Sequence, residues 1–296
     1  MQNEIPPLVL TDEVRGSWRE WLAVTKDRCH LNFELASDSL SSHIDAGFKS
    51  GLATARRVRD DISDLKVHRV LEVGCSVGFN CLGLAVVFPD AQIFGIEPDS
   101  EAVKVGKAMS NGAGLKNITF QKGLGELLPF DPDFFDLIVC HTVIEHVNDV
   151  PKVIAQMGRV LAPAGYLHLE APNYVWPYEP HLGIWCLPLL GKKFVRFLAR
   201  LQGKKSQIYY LEHLKFVHPK YLESLFSSNN FSWDNRAEKK LKNVLSGRHD
   251  LVFSYHRAAN LLSILKAIGI GRLIEKYLLL LKLYPSVLYT ISKRTR

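Results

Sequence analysis

Acidic residues and glycines stand at the ends of two short apolar runs in this 296-residue chain, where they could hold a ligand. Glu72 lies in VLEVG, Gly74 and Gly78 follow it, and Glu97 ends the run IFGIE. Glycines after a strand let the chain turn tightly into a helix whose first N–H groups are exposed. A carboxylate at the end of the next strand can accept hydrogen bonds from both hydroxyls of a ribose. The pattern indicates a nucleotide-type site, although each signal alone would also fit a dinucleotide site or a surface acid.

Residues that could accept a proton occur in two later segments. Glu145 and His146 form an EH pair, and WPYEPHLGIW brings Tyr178, Glu179 and His181 within four positions. A histidine within hydrogen-bond reach of a hydroxyl can remove its proton during a reaction. We expect His181 to be the main catalytic base, with His146 and Glu179 as further catalytic candidates. The alternatives are a structural brace for the EH pair and a loop that merely covers a ligand.

The sequence predicts no metal centre. His141 and His146 are five positions apart with Glu145 between them, which differs from the i, i+4 histidine pair of a zinc helix. The five cysteines form no C-x-x-C pair, so they indicate neither a zinc knuckle nor a disulfide framework. Their odd number favours a reducing compartment.

β-rich and helical stretches alternate between residues 68 and 175, from HRVLEVG to YLHLEAPN. Such alternation predicts βαβ units with a parallel sheet, whose ligands bind at the carboxyl ends of the strands. We therefore expect an α/β fold with its cofactor-binding core at residues 61–175. Residues 1–60 are expected to form a helical layer over the core. Its first helix is expected to begin at Thr11 or Asp12 as the N-cap residue.

The regular alternation stops after Asn173, where the sequence becomes aromatic and contains prolines. We interpret residues 176–217 as an insertion on the acceptor side of the site. Residues 218–256 would then supply the last helix and the final strands, FSWDNR and LVFSYHR.

The excess of basic residues is confined to the C-terminal tail, predicted at residues 257–296. Of the 37 basic and 30 acidic residues, eight basic and one acidic lie in this tail, so the first 256 residues are formally neutral. Binding of nucleic acid is not expected, because a neutral catalytic part offers no stripe of charge for phosphates. The tail is too charged to span a bilayer, and its amphipathic pattern indicates either a helix on an anionic membrane or one packed on the core.

The motifs between residues 68 and 175 together resemble the class I S-adenosylmethionine-dependent methyltransferases, closely the group with the ubiquinone and menaquinone methyltransferases. The resemblance rests on VLEVGCSVGFN, IFGIEPDS, GLGELLPF, the EH-containing segment FDPDFFDLIVCHTVIEHV and VLAPAGYLHLEAPN, which occur in the family's order. It implies a Rossmann-like fold with a mostly parallel seven-stranded sheet and helices on both faces. The cofactor would be S-adenosylmethionine.

The same resemblance implies roles for individual residues. Ser76 stands where the family usually has the middle glycine of its first motif, so it would have to adopt a backbone shape that its side chain resists. Glu97 would bind the ribose, Gly125 and Glu126 would lie beside the adenine, and His141 would lie near the methionine part. The expected cofactor-binding residues are Glu72, Gly74, Cys75, Ser76, Gly78, Glu97, Pro98, Gly125, Glu126 and His141.

The resemblance leads to an expectation about the reaction. The segment from residue 176 to the helix FVHPKYLESLF is loosely similar to the acceptor side of bacterial methyltransferases associated with cell-surface polysaccharides. We therefore expect O-methylation of a glycan or lipid-linked glycan acceptor by an enzyme at the inner face of an anionic membrane. The alternatives are a C- or O-methyltransferase of a quinone or another apolar small molecule, and a non-catalytic cofactor-binding module. The N-terminal sequence lacks the features of a secretory signal, which favours a cytoplasmic location.

Overall fold

Four short strands form the parallel part of the sheet, and three of them are rich in buried aliphatic and aromatic residues. The four strands are β1 (Arg69–Val73), β2 (Gln92–Glu97), β3 (Ile118–Lys122) and β4 (Phe135–His141). Strand β1 pairs in parallel with β2 and with β4, and β2 pairs in parallel with β3. Near-continuous apolar runs are typical of strands covered on both faces, so the sequence pattern and the pairing agree for β1, β2 and β4, whereas β3 lies at the edge of the sheet and only its Phe120 is buried.

The computed structural model describes residues 9–29, 37–62, 65–205, 208–237, 239–240 and 271–294. The chain divides into two compact units. The first unit comprises Met1–Val139 and Arg159–Tyr166, and the second comprises Cys140–Gly158 and Leu167–Arg296.

Helices connect the strands in the alternation that the sequence predicts. They are α3 (Phe79–Val87), α4 (Ser100–Gly112) and α5 (Val150–Val160). Helix α4 begins after Asp99, whose carboxylate accepts a hydrogen bond from the amide of Glu101 at 2.9 Å. This cap satisfies one of the free N–H groups at the start of the helix. The α/β prediction is thus confirmed.

The N-terminal layer consists of α1 (Asp12–Cys29) and α2 (Ser37–Asp61). The hydroxyl of Thr11 accepts a hydrogen bond from the amide of Val14 at 3.2 Å, so Thr11 is the cap of α1. Helix α2 approaches α3 very closely at Gly51 and Gly83. A Cβ at Gly83 would lie 2.3 Å from the carbonyl oxygen of Gly51, which excludes any larger residue there without a shift of the helices.

The sheet continues with β5 (Leu161–Pro172), β8 (Phe231–Asn235) and β9 (Ser286–Lys293). Its seven strands follow the order β3-β2-β1-β4-β5-β9-β8. Strand β9 pairs antiparallel with both β5 and β8, so the sheet is mostly parallel with an antiparallel end. This agrees with the Rossmann-like seven-stranded sheet expected from the resemblance.

Two expectations about local structure differ from the fold. The resemblance implies that Pro163 and Gly165 of VLAPAGYLHLEAPN form a turn before the strand, but both lie in the first part of β5. A Cβ at Gly165 would lie 2.8 Å from the carbonyl oxygen of Asp136, so the glycine permits close approach of two backbones. Residues 286–293, expected in a helical tail that lies on a membrane or packs on the core, form β9, most of which is buried. The uncharged segment SVLYTIS does not alternate regularly between apolar and polar residues, but a strand that is buried on both faces needs no such alternation.

The strand FSWDN is confirmed as β8, whereas LVFSYHR and residues 257–270 of the expected tail lie outside the described residues. The insertion contains the hairpin β6 (Tyr178–Glu179) and β7 (Ile184–Trp185), a short 3-10 turn at Pro188–Leu190, α6 (Lys192–Leu201) and α7 (Tyr210–His213). It has a small hydrophobic core that includes Leu182, Val195 and Leu211. Helices α8 (Pro219–Ser228) and α9 (Gly271–Leu280) complete the described elements. His218 caps α8, because its ring Nδ1 accepts a hydrogen bond from the amide of Tyr221 at 3.4 Å.

Candidate functional site

The turn after β1, residues 74–78, is named the β1 loop. The amides of Gly74 and Cys75 both donate hydrogen bonds to the carbonyl oxygen of Ile96, at 2.8 and 3.1 Å. These bonds fix the start of the loop against the end of β2. Gly74 and Gly78 have φ angles of 70° and 92°, which glycine adopts at no steric cost. The loop therefore has the tight turn that the two glycines predict.

Glu97 is joined to the β1 loop through its carboxylate. Oε2 accepts a hydrogen bond from the amide of Ser76 at 2.9 Å, and Oε1 accepts one from the amide of Asp99 at 3.1 Å. Burial raises the pKa of Glu97, and these two amides partly offset that effect. A carboxylate has about four lone-pair positions, so two acceptor positions remain for a ligand diol.

Glu72 lies beneath the β1 loop and is almost completely buried. Its carboxylate accepts hydrogen bonds from the amide nitrogen of Asn80 at 2.8 Å and from the thiol of Cys81 at 2.9 Å. Burial raises the pKa of Glu72 to about 7. These contacts make Glu72 a residue that positions the start of α3. Its sequence neighbours gave no sign that Asn80 and Cys81 would be its partners.

Two residues of the β1 loop depend on unusual backbone geometry. Ser76 has a φ of 48°, the left-handed shape expected when it replaces a glycine. A Cβ at Gly78 would lie 2.6 Å from the ring of Phe120, so this position has room only for glycine. Cys75 is buried in the loop, whereas Ser76 is exposed.

The remaining predicted cofactor residues of the first unit lie near the ends of β2 and β3. Pro98 is exposed directly after Glu97. Gly125 and Glu126 form the turn between Leu124 and Leu127, which make an isolated bridge to each other. Leu124 and Leu127 are exposed on either side of that turn.

Four side chains of the second unit form the group named here the His–Glu cluster: Glu145, His146, Glu179 and His181. Glu145 and His146 lie in the turn between β4 and α5, where the amide of His146 donates to the carbonyl of Val143 at 2.8 Å. Glu179 belongs to β6, and His181 lies in the hairpin that follows. The structure thus brings together all three predicted catalytic residues, together with Glu145.

Glu179 fixes the ring of His181. Its buried carboxylate lies 2.7 Å from Nδ1 of His181, and its other oxygen accepts a hydrogen bond from the amide of Leu182 at 2.6 Å. Burial lowers the pKa of His181, but the hydrogen bond and charge of Glu179 outweigh it, so the net pKa is raised. With Nδ1 donating to Glu179, the lone pair of neutral His181 is at Nε2.

Nε2 of His181 lies 3.2 Å from Nε2 of His146, and the two rings are nearly perpendicular. Partial desolvation and the neighbouring His181 lower the pKa of His146 to about 4. Glu145 is completely buried, and burial raises its pKa to about 7. Oε1 of Glu145 lies 3.9 Å from Nε2 of His146.

His141 ends β4, also in the second unit. Its Nε2 lies 2.7 Å from Nδ1 of His168, which is completely buried in β5. The sequence placed His141 near the methionine part of the cofactor but gave no sign of His168, because the two residues lie 27 positions apart. Their pairing depends on strand register, which a single sequence does not display.

A methyltransferase-domain family model matches residues 65–205, a stretch that includes the β1 loop, Glu97 and the His–Glu cluster. Over these residues the chain is similar to the S-adenosylmethionine-dependent methyltransferases that its motifs resemble. This confirms the resemblance carried by its motifs. S-adenosylmethionine is the cofactor of this family.

The relatives of this chain are distant. An uncharacterized methyltransferase of Bacillus subtilis, YcgJ, is 27% identical over 57% of this chain and 58% of its own length. The ubiquinone/menaquinone biosynthesis C-methyltransferase UbiE of Psychromonas ingrahamii is 26% identical over 68% of this chain and 88% of its own. The ubiquinone biosynthesis O-methyltransferase of Bartonella quintana is 26% identical, with 58% of this chain and 64% of the relative covered. Thus the chain spans less than two thirds of two of these three relatives.

A similar solved structure is that of a geranyl diphosphate methyltransferase in complex with S-adenosylmethionine. It has a TM-score of 0.51 and 12% identity, and the match covers 82% of this chain and 85% of the other. At this identity the likeness concerns the fold alone.

Proposed function

We propose that this chain transfers the methyl group of S-adenosylmethionine to an acceptor hydroxyl. The observation that carries the proposal is the bond between Ser76 and Glu97, which joins the β1 loop to an acid with two unused acceptor positions. The left-handed glycines of the loop and the diol-matching acid both fit an adenosyl ligand. The bound cofactor supplies an activated methyl group on its sulfonium, so the protein needs chiefly to bind and orient.

A hydroxyl acceptor must lose a proton, and the His–Glu cluster supports that step. Nε2 of His181 carries the free lone pair because Nδ1 is held by Glu179. Glu179 acts as a positioning residue, and His146 lies beside the reactive nitrogen. A carbon acceptor on an activated ring would depend less on such a group.

The aromatic residues of the insertion favour a glycan or lipid-linked glycan as the acceptor. Tyr178 and Trp185 pack edge to face with their ring centroids 5.3 Å apart, and Trp176 lies 6.5 Å from Trp185. Trp185 is exposed, and an exposed aromatic face can pack against the apolar face of a sugar ring. The alternative acceptor is a quinone or another apolar small molecule, which is favoured by the names of the relatives from ubiquinone biosynthesis.

The exposed side chains of helix α6 favour binding of the protein to an anionic membrane surface. Phe194, Phe197 and Leu201 form an apolar stripe at helical spacing on the side opposite buried Val195 and Ala199, with Phe197 56% and Leu201 67% exposed. Leu190, in the turn before the helix, is also exposed. Lys193 and Arg200 lie along one side of this stripe and are exposed. Exposed apolar residues beside basic ones suit the headgroup region of anionic lipids. Among the described residues, no helix has the length and apolar character needed to cross a membrane.

The tail contributes to this proposal only in part. Leu273, Tyr277 and Leu281 are exposed, as a helix lying on a membrane requires. However, residues 286–293 are a strand of the sheet, so deleting the whole tail would remove core structure. Point substitutions therefore test membrane binding more cleanly than truncation.

The acceptor can be identified by mass spectrometry of host glycans and lipids, with and without the protein. We expect one methyl group on an oxygen of a glycan or lipid-linked glycan when the protein is present. Purified protein and labelled S-adenosylmethionine should then methylate the unmodified species. A methyl group that appears on a quinone instead would establish the alternative, and binding without transfer to any extract fraction would contradict an enzymatic role.

Membrane binding can be tested by sedimentation with phosphatidylcholine vesicles, with and without phosphatidylglycerol. The wild-type protein should sediment with the anionic vesicles, and the double substitution Phe197→Ser with Leu201→Ser should release it. Val9→Ser is the matched control, because Val9 is equally exposed in another part of the chain. Equal sedimentation of the double variant and the wild type would contradict the assignment to the stripe.

A further inference from the structure

Glu145 is a carboxylate buried without the partners that buried carboxylates normally have. It is completely inaccessible to solvent, and neither of its side-chain oxygens has a hydrogen-bond partner among the described residues. Burying an ionised carboxylate unpaired is costly unless a cation or hydrogen-bond donor compensates. Two imidazole nitrogens, from His146 and His181, stand beside it.

We infer that Glu145, His146 and His181 form a binding site for a divalent transition-metal ion, with Zn²⁺ as the best-fitting ion. One ligand atom from each side chain lies within 4.8 Å of the others. The two Nε2 atoms are 3.2 Å apart, and Glu145 Oε1 is 3.9 Å from Nε2 of His146. Bonds of about 2.1 Å at tetrahedral angles place neighbouring ligand atoms roughly 3.4 Å apart. Small side-chain rotations would therefore close the site around an ion.

The tautomer of His181 is arranged for coordination. The carboxylate of Glu179 holds Nδ1 at 2.7 Å, which leaves the lone pair of neutral His181 at Nε2, 3.2 Å from Nε2 of His146. Metal-bound histidines almost always donate their second N–H to a carboxylate, carbonyl or water. Glu179 is itself fixed by the amide of Leu182, which makes it a positioning residue for a metal ligand.

The exposure of the three side chains indicates an open coordination position. Glu145 is completely buried, whereas the side chains of His146 and His181 are 42% and 20% exposed. Two imidazoles and one carboxylate with a water-accessible fourth position match the ligand set of catalytic zinc sites. Magnesium prefers oxygen ligands, so it should bind here much more weakly.

This site explains a cluster that the spacing of residues did not predict. The sequence suggested no metal, because His141 and His146 lack zinc-helix spacing. The structure instead pairs His146 with His181, 35 positions away, and pairs His141 with His168. A role for the ion in catalysis rests on the proposed function. In that case the ion would bind the acceptor oxygen and lower its pKa, and His181 would act as a metal ligand instead of a free base.

Metal binding can be measured without any acceptor. Protein stripped with a chelator should bind about one equivalent of Zn²⁺ in calorimetry, and Co²⁺ should give the intense visible absorption of a four- or five-coordinate site. Glu145→Gln, His146→Gln and His181→Gln should each weaken Zn²⁺ binding by more than 100-fold, whereas Glu179→Gln should weaken it about 10- to 100-fold. His213→Gln is the matched control, since His213 is an exposed histidine of the same unit outside the cluster.

The pattern among the variants decides the outcome. Zn²⁺ affinity that is unchanged in the three ligand variants, or lost equally in His213→Gln, would overturn the site. Co²⁺ absorption that is absent in the folded wild-type protein would overturn it even if a variant failed to fold. Because these measurements need neither cofactor nor acceptor, a failed metal site and a failed methyl transfer are distinguishable.

Discussion

The β1 loop and the His–Glu cluster are built in different ways. The loop uses backbone geometry, with left-handed glycines, amides that bond to β2 and one acid that bonds back to the loop. The cluster uses four ionisable side chains from two segments of chain, held by the turn after β4 and the hairpin of the insertion. A backbone site tolerates few residue types but is insensitive to distant changes. A side-chain site depends on the exact register of separate segments.

This difference predicts separable effects. Changes in the loop should alter cofactor affinity and stability of the first unit, whereas changes in the cluster should alter turnover and leave cofactor affinity intact. A variant that affects both properties equally would break the distinction.

His181→Ala is expected to have the largest effect. Turnover should fall about 10²- to 10⁴-fold, because the acceptor loses the group that promotes removal of its proton. The affinity for S-adenosylmethionine, measured by calorimetry, should stay the same. His213→Ala serves as the control with normal turnover. An unaffected rate with the true acceptor would show that His181 has no part in catalysis.

Gly78→Val should destabilise the protein by about 2 to 5 kcal/mol, since it adds backbone strain and a clash with Phe120. Gly114→Val is the matched control. Gly114 also has a positive φ, 68°, but no atom lies within 4 Å of its added Cβ, so it isolates the backbone contribution. Urea unfolding measures both. Equal losses would show that the space beside Phe120 is unimportant.

The raised pKa of Glu72 should make stability depend on pH. Glu72 stays protonated in the folded protein up to about pH 7, while in the unfolded chain it ionises near its ordinary pKa of 4.5. Its contribution to the free energy of unfolding is therefore complete below pH 4.5 and lost as the pH rises to 7, by up to about 3 kcal/mol. Glu72→Gln should remove this slope in urea unfolding at several pH values. A variant with the same slope as the wild type would contradict the buried, protonated state.

Ser76→Gly should have the smallest effect, a gain of about 0.5 to 1 kcal/mol. Glycine relieves the left-handed φ of 48°, but it also gives the unfolded chain more freedom. Ser76→Ala keeps the strain and should give no gain. Thermal unfolding of the three proteins checks this, and a loss on Ser76→Gly would mean that the Ser76 side chain stabilises the loop.

Most of the β1 loop could be predicted from the sequence because its residues lie close together. Gly74, Gly78 and Glu97 follow apolar runs that form neighbouring strands, so strand order alone places them at one edge. The partners of Glu72 were not predictable. Asn80 and Cys81 reach its carboxylate only because the first turn of α3 packs beside the end of β1.

For the His–Glu cluster, the sequence predicted the individual residues but not that they lie together. Each of its residues could be named from local sequence, but no local pattern shows that His181 meets His146 across 35 positions. Strand β9 is a similar case. The amphipathic pattern of the C-terminal region predicted a helix, on a membrane or on the core, whereas the uncharged segment SVLYTIS within it is a strand that pairs with two strands of the sheet.

Calorimetric titration with S-adenosylmethionine tests the central claim most directly. The wild-type protein should bind one equivalent, and Glu97→Ala should bind about 1 to 3 kcal/mol more weakly, because buried ligand hydroxyls lose a charged acceptor. Asp131→Ala, at an exposed acid of the same unit, should bind like the wild type. Equal affinity of the wild type and a folded Glu97→Ala variant would contradict the account.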